Sequence, residues 1–373
     1  MICAFYSPTV DFCDLVAPVG ETDGEWWYYH GRLVGGGGRY AFHLAFFRRS
    51  ARNVRIARRI PATRFGDHAW FAHFALGELD AGCFHYAHDR AFFRHTGGAD
   101  AERRRVWLGA TEVRAGRGAH RLRAACGPLQ LLIALRPETP VVDLGGAPFA
   151  RSARSATRYF SCPRLAARGR LRIGGRWIRV TGTAWMDREW GELRFGPDLA
   201  GWDWFGIQLR DGCEFMISRV RDGANRPTPY SAAVRIAADG SVARVDGRGF
   251  EATPLDGWAS PRTGVRYPLR WRLRVPDWKA ELRITPLLRC SEIATPGTTN
   301  ITYWEGPAEV EGTVDGRAVS GSAFTELVGY AWRADELRRF EERTRNVSLL
   351  DLAHNEARRW RDRLRGRWRT ETS

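Results

Sequence analysis

Short stretches in which apolar and polar residues alternate recur along most of the chain. Successive side chains of a β-strand point to opposite faces of a sheet, so this period-two pattern predicts strands. It is clear in residues 39–47 and in residues 269–275, where apolar side chains alternate with polar or basic ones. Asp-Gly and Gly-Gly pairs separate many of the stretches, and they favour tight hairpin turns. The pattern predicts an all-β protein built of antiparallel barrels or sandwiches.

The pattern changes at residue 334, where two charged helices are predicted, over 334–345 and 350–367. In the second helix, one apolar stripe recurs at helical spacing and arginines occupy the rest of the surface. The stripe consists of Leu350, Ala353, Ala357, Trp360, Leu364 and Trp368. Two interpretations stay open: a helix docked on the outside of the barrel, or an interfacial helix in which residues 350–368 contact an anionic membrane.

Tryptophans and carboxylates are concentrated in residues 182–208. If strand alternation continues through this segment, Trp185, Asp187 and Glu189 share one face of a strand. On the next strand, Trp202 and Trp204 share a face. Two such strands could line a cavity with indole rings and place carboxyl groups among them.

A carboxylic acid against aromatic walls is poorly solvated when it is ionised. Its pKa therefore rises, and the acid can donate a proton. Aromatic faces can also stabilise a cation by roughly 0.5–2 kcal/mol per contact. The alternative interpretation of this stretch is a tryptophan-rich barrel core with acids at its rim.

The composition limits the partners and the compartment. The chain of 373 residues has a net charge of +16, nearly all from arginine, which suggests acidic ligands, an anionic membrane or simply a biased base composition. No nucleic-acid motif is present, so no nucleic-acid partner is predicted. Seven scattered cysteines, no apolar run long enough to span a bilayer and no signal-peptide pattern predict a cytoplasmic protein, either free or peripheral on the inner face of the membrane.

Five of the nine histidines lie within residues 65–95, at positions 68, 73, 85, 88 and 95. Their spacing matches no zinc motif, so no metal site is predicted. Isolated imidazoles on strand faces are the simpler interpretation, and a proton-relaying role for one of them stays open.

Five segments, in order over residues 21–330, resemble the carotenoid 1,2-hydratase superfamily with its AttH-like and lipocalin-like relatives. They are GEWWYYHGRL at 24–33, YFSCPRLAARGRLRIGGRWIRVTGTAWMDREWG at 159–191, GWDWFGIQLRDG at 201–212, YPLRWRL at 267–273 and YWEGPAEVEGTVDGRAVSG at 303–321. The WMD-x-EWG segment followed by WDWF is the most specific part. The run Arg188-Glu189-Trp190 is more similar to the AttH-like branch than to the carotenoid branch.

The resemblance implies two lipocalin-like antiparallel β-barrel halves around an apolar pocket, followed by a C-terminal helical segment. The expected organisation is an N-terminal lead-in over 1–20, one β domain over 21–195, a second over 196–333, and basic amphipathic helices over 334–373. Carotenoid members of the superfamily add water across the terminal double bond of an acyclic carotene without a cofactor. Other relatives close rings of polyenes.

By this resemblance the acid of the WMD segment falls on Asp187, and the WDW pair falls on Trp202 and Trp204. The leading hypothesis is a hydratase of an apolar polyene that uses no metal and no cofactor. Asp187 would protonate the alkene, and Glu189 or Tyr159 would position the water. The expected substrate-binding residues are Trp27, Trp185, Trp190, Trp202, Trp204 and Tyr303. A pericyclase of a natural-product polyene and a non-catalytic carrier of lipids or polyenes are the alternatives.

Overall fold

The protein was examined as a computed structural model, which describes residues 10–92, 96–144, 149–153, 155–331, 346–355 and 357. Strands make up most of this part of the chain. The first fifteen are β1 Gly24–Gly35, β2 Gly38–Ser50, β3 Arg55–Ile56, β4 Ile60–Pro61, β5 His68–Glu78, β6 Cys83–Ala91, β7 Gly97–Asp100, β8 Arg105–Leu108, β9 Thr111–Gly116, β10 Ala119–Cys126, β11 Leu129–Pro137, β12 Val142–Asp143, β13 Phe149–Ser152, β14 Ser155–Ile173 and β15 Arg176–Gly191.

The remaining strands are β16 Gly201–Leu209, β17 Glu214–Arg221, β18 Ala232–Ile236, β19 Val242–Asp246, β20 Glu251–Pro254, β21 Trp258–Ala259, β22 Arg266–Tyr267, β23 Trp271–Val275, β24 Ala280–Pro286, β25 Glu292–Ala294, β26 Thr302–Val314, β27 Arg317–Val328 and β28 Asn346–Val347. Short 3-10 helices occupy Phe12–Val16, Ala62–Arg64 and Pro276–Trp278.

The first sheet is antiparallel and follows the order β6-β5-β2-β1-β15-β14-β11-β10-β9-β8-β7, with β12 and β13 paired to β14. Its two ends approach each other, since β6 contacts β8, and the sheet forms a nearly closed barrel. The barrel interior is filled by apolar side chains, among them Trp27, Tyr29, Phe42, Leu44 and Phe46. The predicted hairpin between β1 and β2 turns at Gly36 and Gly37, both of which have positive φ.

The second sheet follows the order β19-β18-β17-β16-β27-β26-β24-β23-β20, with β25 paired to β26, and it forms a half-barrel. Its own core contains Phe205, Trp271 and Trp304. The chain passes from the first sheet to the second between residues 191 and 201. The predicted fold class, all-β with two antiparallel lipocalin-like barrel halves, is confirmed.

A third apolar cluster lies between the two sheets. It joins Tyr159 and Trp185 of the first sheet to Trp204 and Phe324 of the second. The strands at this junction are therefore buried on both faces. This explains why the segment EWWYYHG in β1 is aromatic at consecutive positions and lacks polar alternation.

The C-terminal segment is attached through β28, which pairs in parallel with β3. Residues 349–355 that follow are helical. Within this helix Asn355 is buried and donates a hydrogen bond from Nδ2 to the Gly297 carbonyl, whereas Leu350 is 80% exposed. Leu350, Ala353 and Ala357 of the predicted apolar stripe are all exposed, so the interpretation in which the stripe docks on the barrel is wrong over its described members. The interpretation in which residues 350–368 contact an anionic membrane stays a prediction.

The predicted helix over 334–345 and the rest of the second predicted helix lie outside the described residues. In the part of the chain that is described, every helix is too short or too polar to cross a bilayer.

Candidate active site between the two sheets

A row of side chains crosses the outer face of the first sheet. Ser161 of β14 lies opposite Asp187 of β15, and Asp187 lies opposite Tyr28 of β1. The row continues through Ala45 of β2 to His73 of β5. Side chains alternate between the faces of a sheet, so this row points away from the barrel interior. The neighbouring row on the same face contains Tyr159, Glu189, Trp26 and Phe47.

The second sheet covers part of this face and leaves a cavity of about 340 Å³. From the first sheet the cavity is lined by Tyr28, Phe47, His73, Tyr159, Asp187 and Glu189, among others. From the second sheet it is lined by Trp202 and Trp204 of β16, Tyr303 of β26 and Glu326 of β27. The structure thus contains the expected cavity in which indole rings and carboxyl groups face each other.

Asp187 lines the cavity and is held by several hydrogen bonds, and only 4% of it is exposed. Its Oδ1 accepts hydrogen bonds from Trp185 Nε1, at 2.7 Å, and from the Ser161 hydroxyl. Its Oδ2 lies 2.7 Å from the Tyr159 hydroxyl. Burial raises the pKa of Asp187 to about 7, against the lowering effect of these three hydrogen bonds. A substantial fraction of this carboxyl group is therefore protonated at neutral pH.

The hydrogen bonds indicate which oxygen carries that proton. An indole N–H is only a donor, so Oδ1, which faces Trp185, must accept. Oδ1 already accepts two hydrogen bonds, whereas Oδ2 accepts one, from the Tyr159 hydroxyl, so the acidic proton belongs on the remaining lone pair of Oδ2. The Tyr159 oxygen also accepts a hydrogen bond from Trp204 Nε1 at 3.0 Å. A continuous link from Trp204 through Tyr159 to Asp187 therefore connects the two sheets.

Glu189 is the next residue on the same face of β15, and it is 3% exposed. It accepts a hydrogen bond from the Thr157 hydroxyl and lines the cavity. The structure therefore brings together the three residues for which the sequence predicts a catalytic role, Asp187, Glu189 and Tyr159.

The expected substrate-binding aromatic residues divide into two groups. Trp202, Trp204 and Tyr303 line the cavity. Trp202 donates from Nε1 to Glu326 Oε2 at 2.8 Å, and this bond fixes its indole. Trp185 is 1% exposed and is not part of the lining, and its contribution is the hydrogen bond to Asp187.

The expectation that Trp27 and Trp190 line the cavity is wrong. Trp27 is fully buried inside the first barrel, where Nε1 donates to the Val16 carbonyl at 3.2 Å. Trp190 stacks on Phe160, with ring centroids 5.5 Å apart. Both residues occupy the inward-facing positions of their strands. On β1 the side chains that point towards the cavity are Trp26 and Tyr28.

Three further polar residues belong to this region. Tyr28 and Glu305 had no role in the sequence hypothesis, whereas His73 is one of the histidines for which a proton-relaying role stayed open. Tyr28 is hydrogen-bonded to Glu305 of β26, which is 1% exposed. His73 Nδ1 lies 2.8 Å from the Tyr303 hydroxyl, and burial lowers the pKa of His73 well below its usual value. The alternation of side chains along β1 could have identified Tyr28 as a residue on the cavity face of the strand. Glu305 is 277 residues away in sequence, so no local pattern could connect the two.

Within the described residues, no three His, Cys, Asp or Glu side chains are grouped as metal ligands would be. Of the five histidines of residues 65–95, His73 alone lines the cavity, and His95 lies outside the described part. His73 is therefore the histidine of this group that is placed to act in a proton relay.

Gly206 allows Trp204 to take its position. Trp204 and Gly206 are on the same face of β16, and the indole lies over the glycine. A Cβ atom at position 206 would be 2.4 Å from Cη2 of Trp204. Any larger residue at this position would therefore displace the ring, which carries the hydrogen bond to Tyr159.

The fold and the site define a two-barrel lipocalin-like protein with an acid-bearing cavity between its sheets. The chain belongs to the AttH-like family, whose model matches residues 7–330. This confirms the resemblance to the AttH-like branch of the carotenoid 1,2-hydratase superfamily. No match is found among curated protein sequences.

Solved structures share the architecture. An AttH protein from Nitrosomonas europaea is 27% identical, with a TM-score of 0.74, and the match covers 88% of this chain and 99% of that one. Kievitone hydratase from Nectria haematococca is 17% identical, with a TM-score of 0.68 and coverage of 88% and 93%. CghA bound to Sch210972 is 16% identical, with a TM-score of 0.50 and coverage of 82% and 88%. The last two similarities concern the fold alone.

Proposed function

We propose that this protein is a cofactor-independent hydratase that adds water to a carbon–carbon double bond of an apolar substrate. The observation that carries the proposal is the state of Asp187. Its carboxyl group is buried on the wall of an aromatic cavity, and its pKa is about 7. General acids work best when their pKa lies near the working pH, and they contribute typically 10²–10⁴-fold in rate.

The first step is proton transfer from Oδ2 of Asp187 to the less substituted carbon of the double bond. The π electrons form the new C–H bond, and the adjacent carbon becomes a tertiary cation. Water then attacks this carbon and forms the C–O bond. The proton released by the water returns to the Asp187 carboxylate through Tyr159, which is 2.7 Å from Oδ2. The acid is regenerated, and the net reaction consumes one water for each alkene.

The cation is stabilised by the groups that face it across the cavity. The indoles of Trp202 and Trp204 line the opposite wall, and each aromatic face can contribute up to about 2 kcal/mol in a desolvated site. Glu189 adds a carboxyl group one position along the strand face from Asp187. These contacts favour the charged transition state more than the neutral alkene, as catalysis requires.

The substrate that we propose is an acyclic carotenoid, hydrated at its terminal C1–C2 double bond. A cavity of about 340 Å³ lies at the small end of the range for ligand pockets, so it would hold one end of a long polyene while the rest extends outside. The family resemblance supports the substrate class. The shared fold of kievitone hydratase supports a hydration reaction.

The test is conversion of lycopene or neurosporene by the purified protein and by Asp187→Asn, with the alcohol product measured by mass spectrometry. We expect the variant to lose at least about 100-fold in rate. Glu192→Gln is the matched control, because Glu192 belongs to the same stretch but is half-exposed and lies outside the cavity lining. Full activity of a folded Asp187→Asn variant would overturn the proposal.

The same experiment separates the two alternatives. A cyclase, which the family resemblance also allows, would be nearly insensitive to Asp187→Asn but sensitive to replacement of Trp202 or Trp204 by a smaller residue. A carrier would bind the polyene and release it chemically unchanged.

A further inference from the structure

Tyr28 and Glu305 form a second acid–phenol pair at the cavity, and the pair joins the two sheets. The hydroxyl of Tyr28 is hydrogen-bonded to Glu305 Oε1. Glu326 lies directly opposite Glu305 in the sheet. Burial, together with the charges of Glu326 and Asp187, raises the pKa of Glu305 well above its usual value. These surroundings disfavour the ionised form of Glu305, and Tyr28 is its hydrogen-bond donor.

The direction of the hydrogen bond determines what Tyr28 offers to the cavity. Tyr28 donates its hydroxyl hydrogen to Glu305 Oε1, while Glu305 Oε2 is buried and has no hydrogen-bond partner among the described residues. A phenol oxygen that donates its own hydrogen keeps lone pairs that can accept hydrogen bonds. The Tyr28 oxygen can therefore accept a hydrogen bond from a molecule in the cavity that Tyr28 lines.

The ring of Tyr28 is held firmly in this position. It packs against His43, His30 and Trp204, with ring centroids 4.8, 5.5 and 6.0 Å away. Tyr28 is also the direct cross-strand neighbour of Asp187. Side chains in such pairs have Cβ atoms about 4.5–5.5 Å apart. A molecule held by the Tyr28 hydroxyl is therefore adjacent to the double bond that Asp187 protonates.

We infer that Tyr28 holds the reacting water, and the alcohol that the water becomes, through its phenol oxygen, with Glu305 as its positioning residue. The inference rests on the proposed hydration. The water donates one hydrogen to the Tyr28 oxygen, and a lone pair of the water oxygen attacks the cation. The second hydrogen of the water passes as a proton to the Asp187 carboxylate, and the hydroxyl of the product keeps its hydrogen bond to Tyr28.

The inference predicts a specific kinetic signature for Tyr28→Phe. The alkene has no group that can donate a hydrogen bond to Tyr28, so its KM should stay within about two-fold, whereas kcat should fall about ten-fold or more. The product alcohol should bind about five-fold more weakly as an inhibitor, which is the loss expected for one neutral hydrogen bond. A general weakening of the cavity would instead change the alkene KM.

Glu305 is tested by one conservative and one disruptive variant. Gln keeps a side-chain oxygen that can accept from Tyr28, so Glu305→Gln should keep most of the activity. Glu305→Met should reproduce the kinetics of Tyr28→Phe. The matched control is Tyr267→Phe, because Tyr267 of β22 and Glu292 of β25 form a buried phenol–carboxyl pair at 3.0 Å, outside the cavity lining. Its kinetics should remain those of the wild type.

Infrared spectroscopy tests the hydrogen bond without any substrate. The phenol C–O band of Tyr28, assigned by its loss in Tyr28→Phe, should keep the position of a donating phenol in Glu305→Gln and should shift in Glu305→Met. A band that does not shift in Glu305→Met, or an inactive Glu305→Gln, would overturn the inference. Hydration that depends on Asp187 but not on Tyr28 would refute this inference alone, whereas a wild type that hydrates no alkene would refute the proposed function.

Discussion

Arg188 and Glu25 form a buried ion pair inside the first barrel, on the face of β15 opposite to Asp187. The Arg188 side chain is 1% exposed, and its guanidinium group stacks 4.2 Å over the ring of Trp27. It also donates to the carbonyl of Leu15 at 2.8 Å. The pair therefore attaches the N-terminal lead-in to the strand that carries the acid.

Loss of Arg188 should be costly for stability. Arg188→Met leaves Glu25 buried with Arg48, at 2.5 Å, as its remaining charged partner. We expect a loss of about 3 kcal/mol in the free energy of unfolding, measured by denaturant titration. Arg52→Met is the control. It removes an exposed ion pair with Glu21, which should cost less than about 1 kcal/mol. Equal losses in the two variants would contradict the structure.

The rate of hydration should depend on pH through Asp187. The acid must be protonated to react, and its pKa is about 7, so kcat/KM should be constant at lower pH and fall about ten-fold per unit above 7. The hydrogen bond from Ser161 lowers this pKa. Ser161→Ala should therefore move the decline in rate to higher pH. A decline that does not move would exclude Asp187 as the group that titrates.

The same pKa predicts how stability changes with pH. The folded pKa of Asp187 is raised above that of the unfolded chain, so its contribution to stability is complete below about pH 4 and is lost as pH rises through about 7. Asn cannot ionise. The stability of Asp187→Asn relative to the wild type should therefore rise by up to about 4 kcal/mol between pH 4 and pH 8. Thermal unfolding at both pH values measures the difference, and a constant difference would contradict the assignment.

Gly206→Ala should impair the reaction without a change in any polar group. The added Cβ would be 2.4 Å from the indole of Trp204, so the ring must move and the bond to Tyr159 weakens. We expect kcat to fall about ten-fold and stability to fall by about 1–3 kcal/mol. Gly116→Ala, where an added Cβ meets no atom within 4 Å, is the control. Unchanged kcat in Gly206→Ala would show that the Trp204 link is dispensable.

The all-β class and the hairpin of β1 and β2 could be predicted from the sequence, because alternation and turn residues are local signals. The common face of Asp187 and Glu189 followed from the same alternation. The choice of Trp27 failed, since β1 is buried on both faces and its unbroken aromatic run does not show which side chains face the cavity.

The pairing of Tyr28 with Glu305 could not be predicted, because it depends on how two distant sheets pack. The face of the C-terminal helix that packs against the protein could not be predicted for a related reason. Its orientation is set by the pairing of β28 with β3, and this contact places Asn355 rather than Leu350 against the protein.

The link from Trp204 through Tyr159 to Asp187 crosses from one half of the chain to the other. Each half therefore supplies only part of the chemistry, and the acid acquires its complete environment when both halves are in register. If the two halves were produced as separate polypeptides, turnover would report directly on their reassociation. The protein would then serve as a complementation sensor whose signal is the reaction itself.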